Sequence, residues 1–325
     1  MADPVQHFVD LDAVDRDWIE GAFAETDRLL ESRGRPDAPK PLADRTVATV
    51  FHKPSLRTRV SFAAGVTELG GAVVELGAAE VSEHGRESTP DVARVLSGMC
   101  DLIVIRTFAH RLVEELAKHA TAPVINALTD TSHPCQVLAD LYTLRERSLD
   151  LDGCTIAWVG DGNNVLHSWL HASTLFGFQL RFAVPDGFEP DGEIYLAAER
   201  GAMGSIRRYR DPKEAVRGAD VIYTDTWTSM GQESQAGWRR LAFRDFQVNE
   251  ALLALAKPEA VLMHCLPAHR GEEVTDAVLD GPQSIVIRQA ENRLHAQKGL
   301  MSVLVQAAGS RDGRERTPRE VLVSG

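Results

Sequence analysis

Thr46-Val47-Ala48-Thr49-Val50-Phe51-His52-Lys53-Pro54-Ser55-Leu56-Arg57-Thr58-Arg59 is the stretch whose reading sets the fold class. Its first six residues are apolar or β-branched, the composition of a strand, and a helix is expected from Arg57 to Leu69. A strand feeding a helix in this way gathers hydroxyls, free backbone N–H groups and guanidinium groups at one helix N-terminus, where the peptide dipoles favour negative charge. An anion site is one reading of that chemistry. The other is a Ser N-cap with its Arg side chains in water, and the remaining loops have to decide between them.

Outward from this unit, short β-branched runs keep alternating with amphipathic stretches, the pattern of βαβ units and a parallel sheet. A helix near Asp15–Ser32 comes first. Strands are expected at Thr46–Phe51, Ala72–Leu76, Leu102–Arg106 and Pro123–Asn126, with helices at Ser88–Met99, Arg111–His119 and from about Pro134 to Arg147. The polar, glycine-ended stretch Ser148–Gly153 breaks this series. New strands follow at Thr155–Val159, Leu180–Val184, Ser205–Tyr209, Val221–Thr224, Val261–Met263 and Ser284–Ile287. Glu291–Gln306 reads as a helix, and the chain from Ser310 is charged and aperiodic. The expectation is an α/β protein with two doubly wound domains, each a central parallel sheet flanked by helices. The first spans residues 1–148 and the second 149–290; a C-terminal helix at 291–308 packs back on the first, and 309–325 is a flexible tail.

At roughly 150 residues per domain, the chain's 325 residues also predict about two domains, and 44% hydrophobic with 25% charged residues is an ordinary globular composition. Thirty-five Lys and Arg against 47 Asp and Glu leave a formal charge of −12. That field repels a polyanion and argues against nucleic acid as a partner; an anionic small substrate needs a local cationic cluster. No apolar run approaches the ~20 residues that cross a bilayer. Met1 to His7 lacks a basic and then an apolar leader region, so a cytoplasmic location is expected. Cys100, Cys135, Cys154 and Cys265 show no CxxC spacing, and most of them are expected to be buried thiols.

Ligands of open α/β sheets bind beyond the carboxyl ends of strands, so each following loop carries weight. Leu102–Arg106 ends on an Arg, which is rarely buried unless paired; Arg106 faces either a ligand or a nearby carboxylate. His133 and Gln136, in Thr131-Ser132-His133-Pro134-Cys135-Gln136, stand at a helix start on similar faces and offer donors to a carbonyl-bearing ligand, unless His133 is structural. Gly160-Asp161-Gly162-Asn163-Asn164 follows a strand, but Val165 replaces the third glycine of a dinucleotide fingerprint; the two Asn suit a zwitterion instead. Asp225-Thr226-Trp227-Thr228-Ser229-Met230-Gly231 offers a carboxylate for an amine, or a loop closed by its own Asx turn. In His264-Cys265-Leu266-Pro267-Ala268-His269, adjacent His264 and Cys265 point to opposite faces if extended, with too few spaced partners for a structural zinc site. No metal is expected.

Together these loops resemble the aspartate/ornithine carbamoyltransferase family, and within it the ornithine branch, over about Phe8 to Val305. The resemblance rests on Phe51-x-Lys53-x-Ser55-x-Arg57-Thr58-Arg59, His133-Pro134-Cys135-Gln136, Gly160-Asp161-Gly162-Asn163-Asn164, Asp225-x-x-x-Ser229-Met230-Gly231, His264-Cys265-Leu266-Pro267 and Glu291-Asn292-Arg293-Leu294-His295-Ala296-Gln297-Lys298. It implies carbamoyl transfer from carbamoyl phosphate to the δ-amine of L-ornithine, giving L-citrulline and phosphate in arginine metabolism; the motifs do not separate an arginine-making from an arginine-degrading direction, and biosynthesis is the expectation. Phosphate would be held by Ser55, the Leu56 backbone, Arg57, Thr58 and Arg106. The carbamoyl group would meet Arg106, His133 and Gln136, with Cys265, the Leu266 backbone and Arg293 completing its surroundings. Ornithine would lie against Asn164, Asp225, Ser229 and Met230. The catalytic set so implied is Arg106, His133, Asp225 and Cys265, with no cofactor, no metal and no covalent role for Cys265. Family members resemble one another in forming trimers, so a homotrimer or a multiple of it is expected.

Two departures stand out. Leu56 occupies a position usually Thr, which removes a hydroxyl near the phosphate; Leu also appears there in relatives that carbamoylate N-succinylornithine. In Val81–Ser88 no residue aligns with the Gln that many ornithine enzymes lend to a neighbouring subunit. The alternatives are a carbamoyltransferase acting on putrescine or an N-acylated ornithine, a nicotinamide-dependent oxidoreductase using the Gly162 loop, and a catalytically silent binding paralogue.

Overall fold

The computed structural model describes residues 5–82, 85–229 and 231–311, with side chains to 309. The first half contains α1 (Arg16–Glu31), β1 (Thr46–Phe51), α2 (Leu56–Glu68), β2 (Ala72–Gly77), α3 (Thr89–Met99), β3 (Leu102–Arg106), α4 (His110–His119), β4 (Val124–Leu128) and α5 (Pro134–Glu146). The second contains β5 (Thr155–Val159), α6 (Asn164–Ala172), β6 (Gln179–Ala183), α7 (Gly192–Gly201), β7 (Ser205–Tyr209), α8 (Pro212–Val216), β8 (Val221–Thr224), α9 (Ala236–Phe243), α10 (Glu250–Leu253), β9 (Val261–His264), α11 (Asp276–Leu279) and α12 (Val286–Arg311).

The apolar runs become strands of two parallel sheets, ordered β2-β1-β3-β4 and β7-β6-β5-β8-β9, in which the end strands β4 and β9 are largely buried, like the inner ones. Every residue of β3, β5, β8 and β9 is buried. Strands covered by helices on both faces need apolar residues throughout rather than in alternation. The outermost strands β2 and β7 tolerate Glu75, Arg207 and Arg208 because they stay partly in water. Both sheets are doubly wound, with the strand order reversing at β1 and at β5. Phe51 lies beside Arg106 at one reversal and Val159 beside Thr224 at the other. Those strand ends open the crevices in which such folds hold ligands.

Helix α12 returns from the second half and packs on α1, α2 and α5 of the first, touching β9 as well. Gly299 permits this approach, since a Cβ there would lie 2.1 Å from Thr26 Oγ1 of α1. One apolar cluster runs from Phe8 to Val305 through both halves. Within it Trp158 stacks on Tyr223 at 5.1 Å, and Trp169 meets the same Tyr edge-on at 5.8 Å.

Two expectations need correction. Ser284–Ile287 is not a strand: Ser284 makes one isolated bridge to Leu262, and α12 begins at Val286. Ile285 and Val286 are buried while Ile287 is 73% exposed, the one-sided burial of a helix start. A short apolar run carries no period that separates helix from strand. At its other end α12 continues to Arg311, into the expected tail; residues 312–325 lie outside the described residues.

Candidate active site

The Ser55 loop satisfies both of its readings. Ser55 is extended, and its hydroxyl accepts from the Thr58 backbone N at 3.2 Å, so it caps α2. Arg57 nevertheless does not reach into water. It crosses to the second half and donates to the Leu266 carbonyl at 2.5 Å. Leu266 can offer that carbonyl because its backbone turns through φ 54°. Leu56 is 75% exposed and lines the mouth of the cleft between the two halves.

Arg106, at the end of β3, donates to Thr58 Oγ1 at 3.2 Å, and Arg293 of α12 donates to the same oxygen at 3.1 Å. Arg293 also donates to Gln136 Oε1 at 2.7 Å. Both guanidinium groups are buried, and among the described residues Arg57, Arg106 and Arg293 form no ion pair with a carboxylate. Burial, then the charges of Arg293 and Arg57, pull Arg106 down to about 10. Its Nε is buried without a partner. Three poorly solvated cations crowding one another form a site that an anion relieves. His133 faces the same cluster from the start of α5. Burial and then the neighbouring arginines hold its pKa well below the usual range, so the imidazole is neutral. Its backbone N donates to Ser168 Oγ of α6 at 2.9 Å, fixing it from the other half of the molecule.

Across the cleft, Asp225 follows β8. Its Oδ1 accepts from Cys265 Sγ at 2.9 Å and from the Thr226 backbone N at 2.7 Å, and its Oδ2 from Asn163 at 2.7 Å. The backbone donor is the adjacent Thr226 N rather than the Trp227 N that an Asx turn would use, and Asp225 also holds the thiol. Burial and then Asp225 push Cys265 well above its ordinary pKa, which keeps it a protonated donor. Asn164 donates to the Thr129 carbonyl at 2.6 Å, bridging the halves. Ser229 lines the same cleft, which has a volume of about 1150 Å³ and also takes in Ser55, Gln136 and Arg293. Met230, with Glu83 and His84 of the Val81–Ser88 segment, lies outside the described residues.

β9 ends at His264, and the backbone turns at Leu266. The Leu266 turn brings donor atoms of Asp225, His264 and Cys265 within 4.8 Å of one another. Both His264 nitrogens already face protein groups, Nδ1 the Leu266 N at 2.9 Å and Nε2 Glu273 at 3.1 Å. The glycines of Gly160-Asp161-Gly162 have local causes: φ is 143° at Gly160, and a Cβ at Gly162 would lie 2.3 Å from the Pro190 N.

Three features of the cleft escape a loop-by-loop reading. Lys53 is buried, paired with Asp130, and 4.1 Å from the Phe108 ring centre. Arg239 is buried against Asp161 and donates to the Trp227 carbonyl, anchoring α9 beside the Ser229 loop. Asn163, read only as half of a pair, holds Asp225. Lys53 stands in a quoted motif, whereas nothing in the sequence around Arg239 marks it.

Comparison with known proteins gives this geometry a context. Residues 6–146 match the family model described as aspartate/ornithine carbamoyltransferase, carbamoyl-P binding domain, and residues 152–304 match the Asp/Orn binding domain of the same family. An ornithine carbamoyltransferase of Chlorobaculum tepidum is 51% identical over 275 residues, covering 85% of this chain and 81% of its own. One of Agrobacterium fabrum is 49% identical over 302 residues, covering 93% and 98%. The solved ornithine carbamoyltransferase of Pyrococcus furiosus superposes with a TM-score of 0.89 at 44% identity, covering 94% of this chain and 99% of that one. Matched in both halves and over nearly its whole described length, the chain belongs to the aspartate/ornithine carbamoyltransferase family.

Proposed function

We propose that this chain transfers the carbamoyl group of carbamoyl phosphate to the δ-amine of L-ornithine, giving L-citrulline and phosphate. The observation that carries the reading is the convergence of Arg57, Arg106 and Arg293 without a carboxylate partner, opposite the Asp225–Cys265 pair. The names of the relatives support the same acceptor.

Residues 1–148 carry carbamoyl phosphate and 149–290 the acceptor in this reading. Ser55, the Leu56 backbone, Arg57, Thr58 and Arg106 bind phosphate. Arg106, His133 and Gln136 hold the carbamoyl group, with Cys265, Leu266 and Arg293 around it. Asn164, Asp225, Ser229 and Met230 receive ornithine. An alkylammonium has a pKa near ~10.4, so the acceptor site has to favour loss of its proton. The neutral amine attacks the carbamoyl carbon, forming the C–N bond. Arg106, neutral His133 and the Thr58 hydroxyl donate to the oxygen that gathers charge. The C–O bond to phosphate then breaks, and phosphate leaves with the electron pair and takes the proton that the attacking nitrogen gives up. Holding two substrates together supplies much of the rate.

A homotrimer, a cytoplasmic location and a biosynthetic role in arginine metabolism complete the proposal. No helix among the described residues is long and apolar enough to cross a membrane. Exposed Leu56 and Val60 on α2, and Val95 and Met99 on α3, form i,i+4 pairs on the first half that suit a subunit contact. The decisive experiment supplies purified protein with carbamoyl phosphate and, in parallel, ornithine, putrescine, N-acetylornithine, N-succinylornithine and lysine. Citrulline from ornithine alone is expected. Turnover only with an acylated ornithine would overturn the acceptor assignment, and no ureido product from any amine would overturn the activity.

A further inference from the structure

Asp140 is a carboxylate at 0% exposure, on α5 one turn after Gln136. Its Oδ1 accepts from the Gln136 and Gln289 amides at 2.8 Å each, and its Oδ2 accepts from the Tyr223 hydroxyl at 2.8 Å. Among the described residues no cation hydrogen-bonds to it or pairs with it. Each donor belongs to a different segment that ends at the cleft. Gln136 stands beside His133. Tyr223 lies in β8, two residues ahead of Asp225. Gln289 lies on α12, one turn before Arg293, and its Oε1 accepts from the His264 backbone N at 2.9 Å, next to Cys265.

An ionisable group sealed from water is costly even when hydrogen-bonded, and burial pushes Asp140 up to about 7. An apolar side chain of similar size would avoid that cost, so the carboxylate calls for another explanation. The Gln136 amide supplies one. Its two ends have the same shape and differ only in what they bond. Arg293 donates to Oε1 while Asp140 accepts from Nε2, so a donor at one end and an acceptor at the other leave one orientation. Oε1 then keeps a second lone pair beside Arg293 in the cleft. A carbamoyl NH2 needs such an acceptor, and a flipped amide would meet it with a second NH2.

We propose that Asp140 is a positioning residue for carbamoyl transfer, fixing the Gln136 amide with its oxygen toward the carbamoyl group and tying it to the Cys265 loop through Gln289 and to the Asp225 strand through Tyr223. This rests on the assignment of Gln136 to the carbamoyl group. The test measures kcat, KM for both substrates and Tm in Asp140→Asn, Asp140→Leu, Gln136→Ala and the Asp140→Leu/Gln136→Ala pair. Asn keeps an oxygen for both glutamine amides and can donate to Tyr223, so its kinetics stay within about fivefold of the parent. Leu frees the Gln136 amide; KM for carbamoyl phosphate rises about tenfold and kcat falls about 10²-fold, while KM for ornithine moves little. In the Gln136→Ala background the effect of Leu on KM for carbamoyl phosphate shrinks to about twofold or less.

A lowered Tm in Asp140→Leu with kcat and KM unmoved would overturn the proposal, as would additive effects in the pair. If Asp140→Leu does not fold, Gln136→Glu decides. Alone it sets two carboxylates together and raises KM for carbamoyl phosphate; adding Asp140→Asn returns a donor to the pair and recovers part of that loss. No recovery would overturn the proposal. An unchanged KM in Gln136→Ala would sink the Gln136 assignment and the inference together, whereas a raised KM there with none in Asp140→Leu sinks the inference alone.

Discussion

Thr58 Oγ1 accepts from Arg106 and Arg293 at once, and this single oxygen sets the spacing of the two cations that face the reacting group. Thr58→Val keeps the shape, removes the acceptor and leaves two buried N–H groups unpaired. The helix start survives, because Ser55 rather than Thr58 supplies the cap. We expect kcat/KM for carbamoyl phosphate to fall about 10²- to 10³-fold with unchanged circular dichroism; unaltered kinetics would remove Thr58 from the site. Cys265 behaves differently. Its thiol donates to Asp225 and is held protonated by burial, so Cys265→Ser keeps a donor in place. Losing one hydrogen bond's geometry costs about 1 kcal/mol, hence less than about tenfold in rate. Complete loss of turnover, with a carbamoylated cysteine trapped in the parent, would reverse this view. Such roles are only partly legible in the sequence. Arg106 betrays itself by ending an apolar strand. Asp140 and Arg239 leave no comparable mark, because Asp140 meets Tyr223 and Gln289 only once the two halves have docked, and Arg239 meets Asp161 across 78 residues of the second half.

Among the elements, α12 shows how one glycine positions chemistry at a distance. It lies on α1, α2 and α5 and carries Gln289 and Arg293 into the cleft. A methyl group at Gly299 would sit 2.1 Å from Thr26 Oγ1 and 2.7 Å from the Ala22 carbonyl, both in α1. Gly299→Ala should therefore cost about 1–3 kcal/mol of stability, the range for overpacking a tight contact. Because Arg293 is fewer than two turns away, KM for carbamoyl phosphate should rise as α12 shifts. Denaturant unfolding together with KM checks this; a stable variant with parental KM would mean that α12 can move without moving Arg293. The strands covered on both sides were legible, since runs such as Leu102–Arg106 recur between amphipathic stretches in the alternation of a parallel sheet. The start of α12 was not. Ile285-Val286-Ile287 reads as a strand by composition, and only its packing makes it helical.

At the scale of the whole molecule, the halves are joined by polar contacts as well as by the shared apolar cluster. Arg16–Asp152 and Arg288–Glu146 lie toward the surface, where ion pairs contribute little. Asp10 and His171 differ because both are largely buried. His171 Nδ1 of α6 lies 3.0 Å from Asp10 Oδ1 in the N-terminal segment. Asn126 donates to Ser132 Oγ and to the Val9 carbonyl, at 3.0 Å each, which fixes that segment to the loop before His133. Burial by itself would lower the His171 pKa, but its close contact with the Asp10 carboxylate, helped by the charge of Asp12, raises it overall. Burial by itself would raise the Asp10 pKa, but His171, Ser132 and the Leu11 N lower it overall. The signs then fix the window. The His171 contribution is complete below its unfolded value of 6.5 and is lost as pH rises through its raised folded value. The Asp10 contribution is complete above 3.8 and is lost as pH falls through its depressed one. His171→Gln removes the cation and leaves Asp10 buried without it, which costs about 3 kcal/mol for a pair of this kind. The gap between variant and parent should be widest near pH 5 to 6, below the unfolded value, and should narrow as pH rises through the raised folded value and the parent's own imidazole loses its proton. Urea unfolding midpoints across that range measure it directly. A gap that stays constant with pH would mean that His171 joins the halves by packing alone, with its charge contributing nothing.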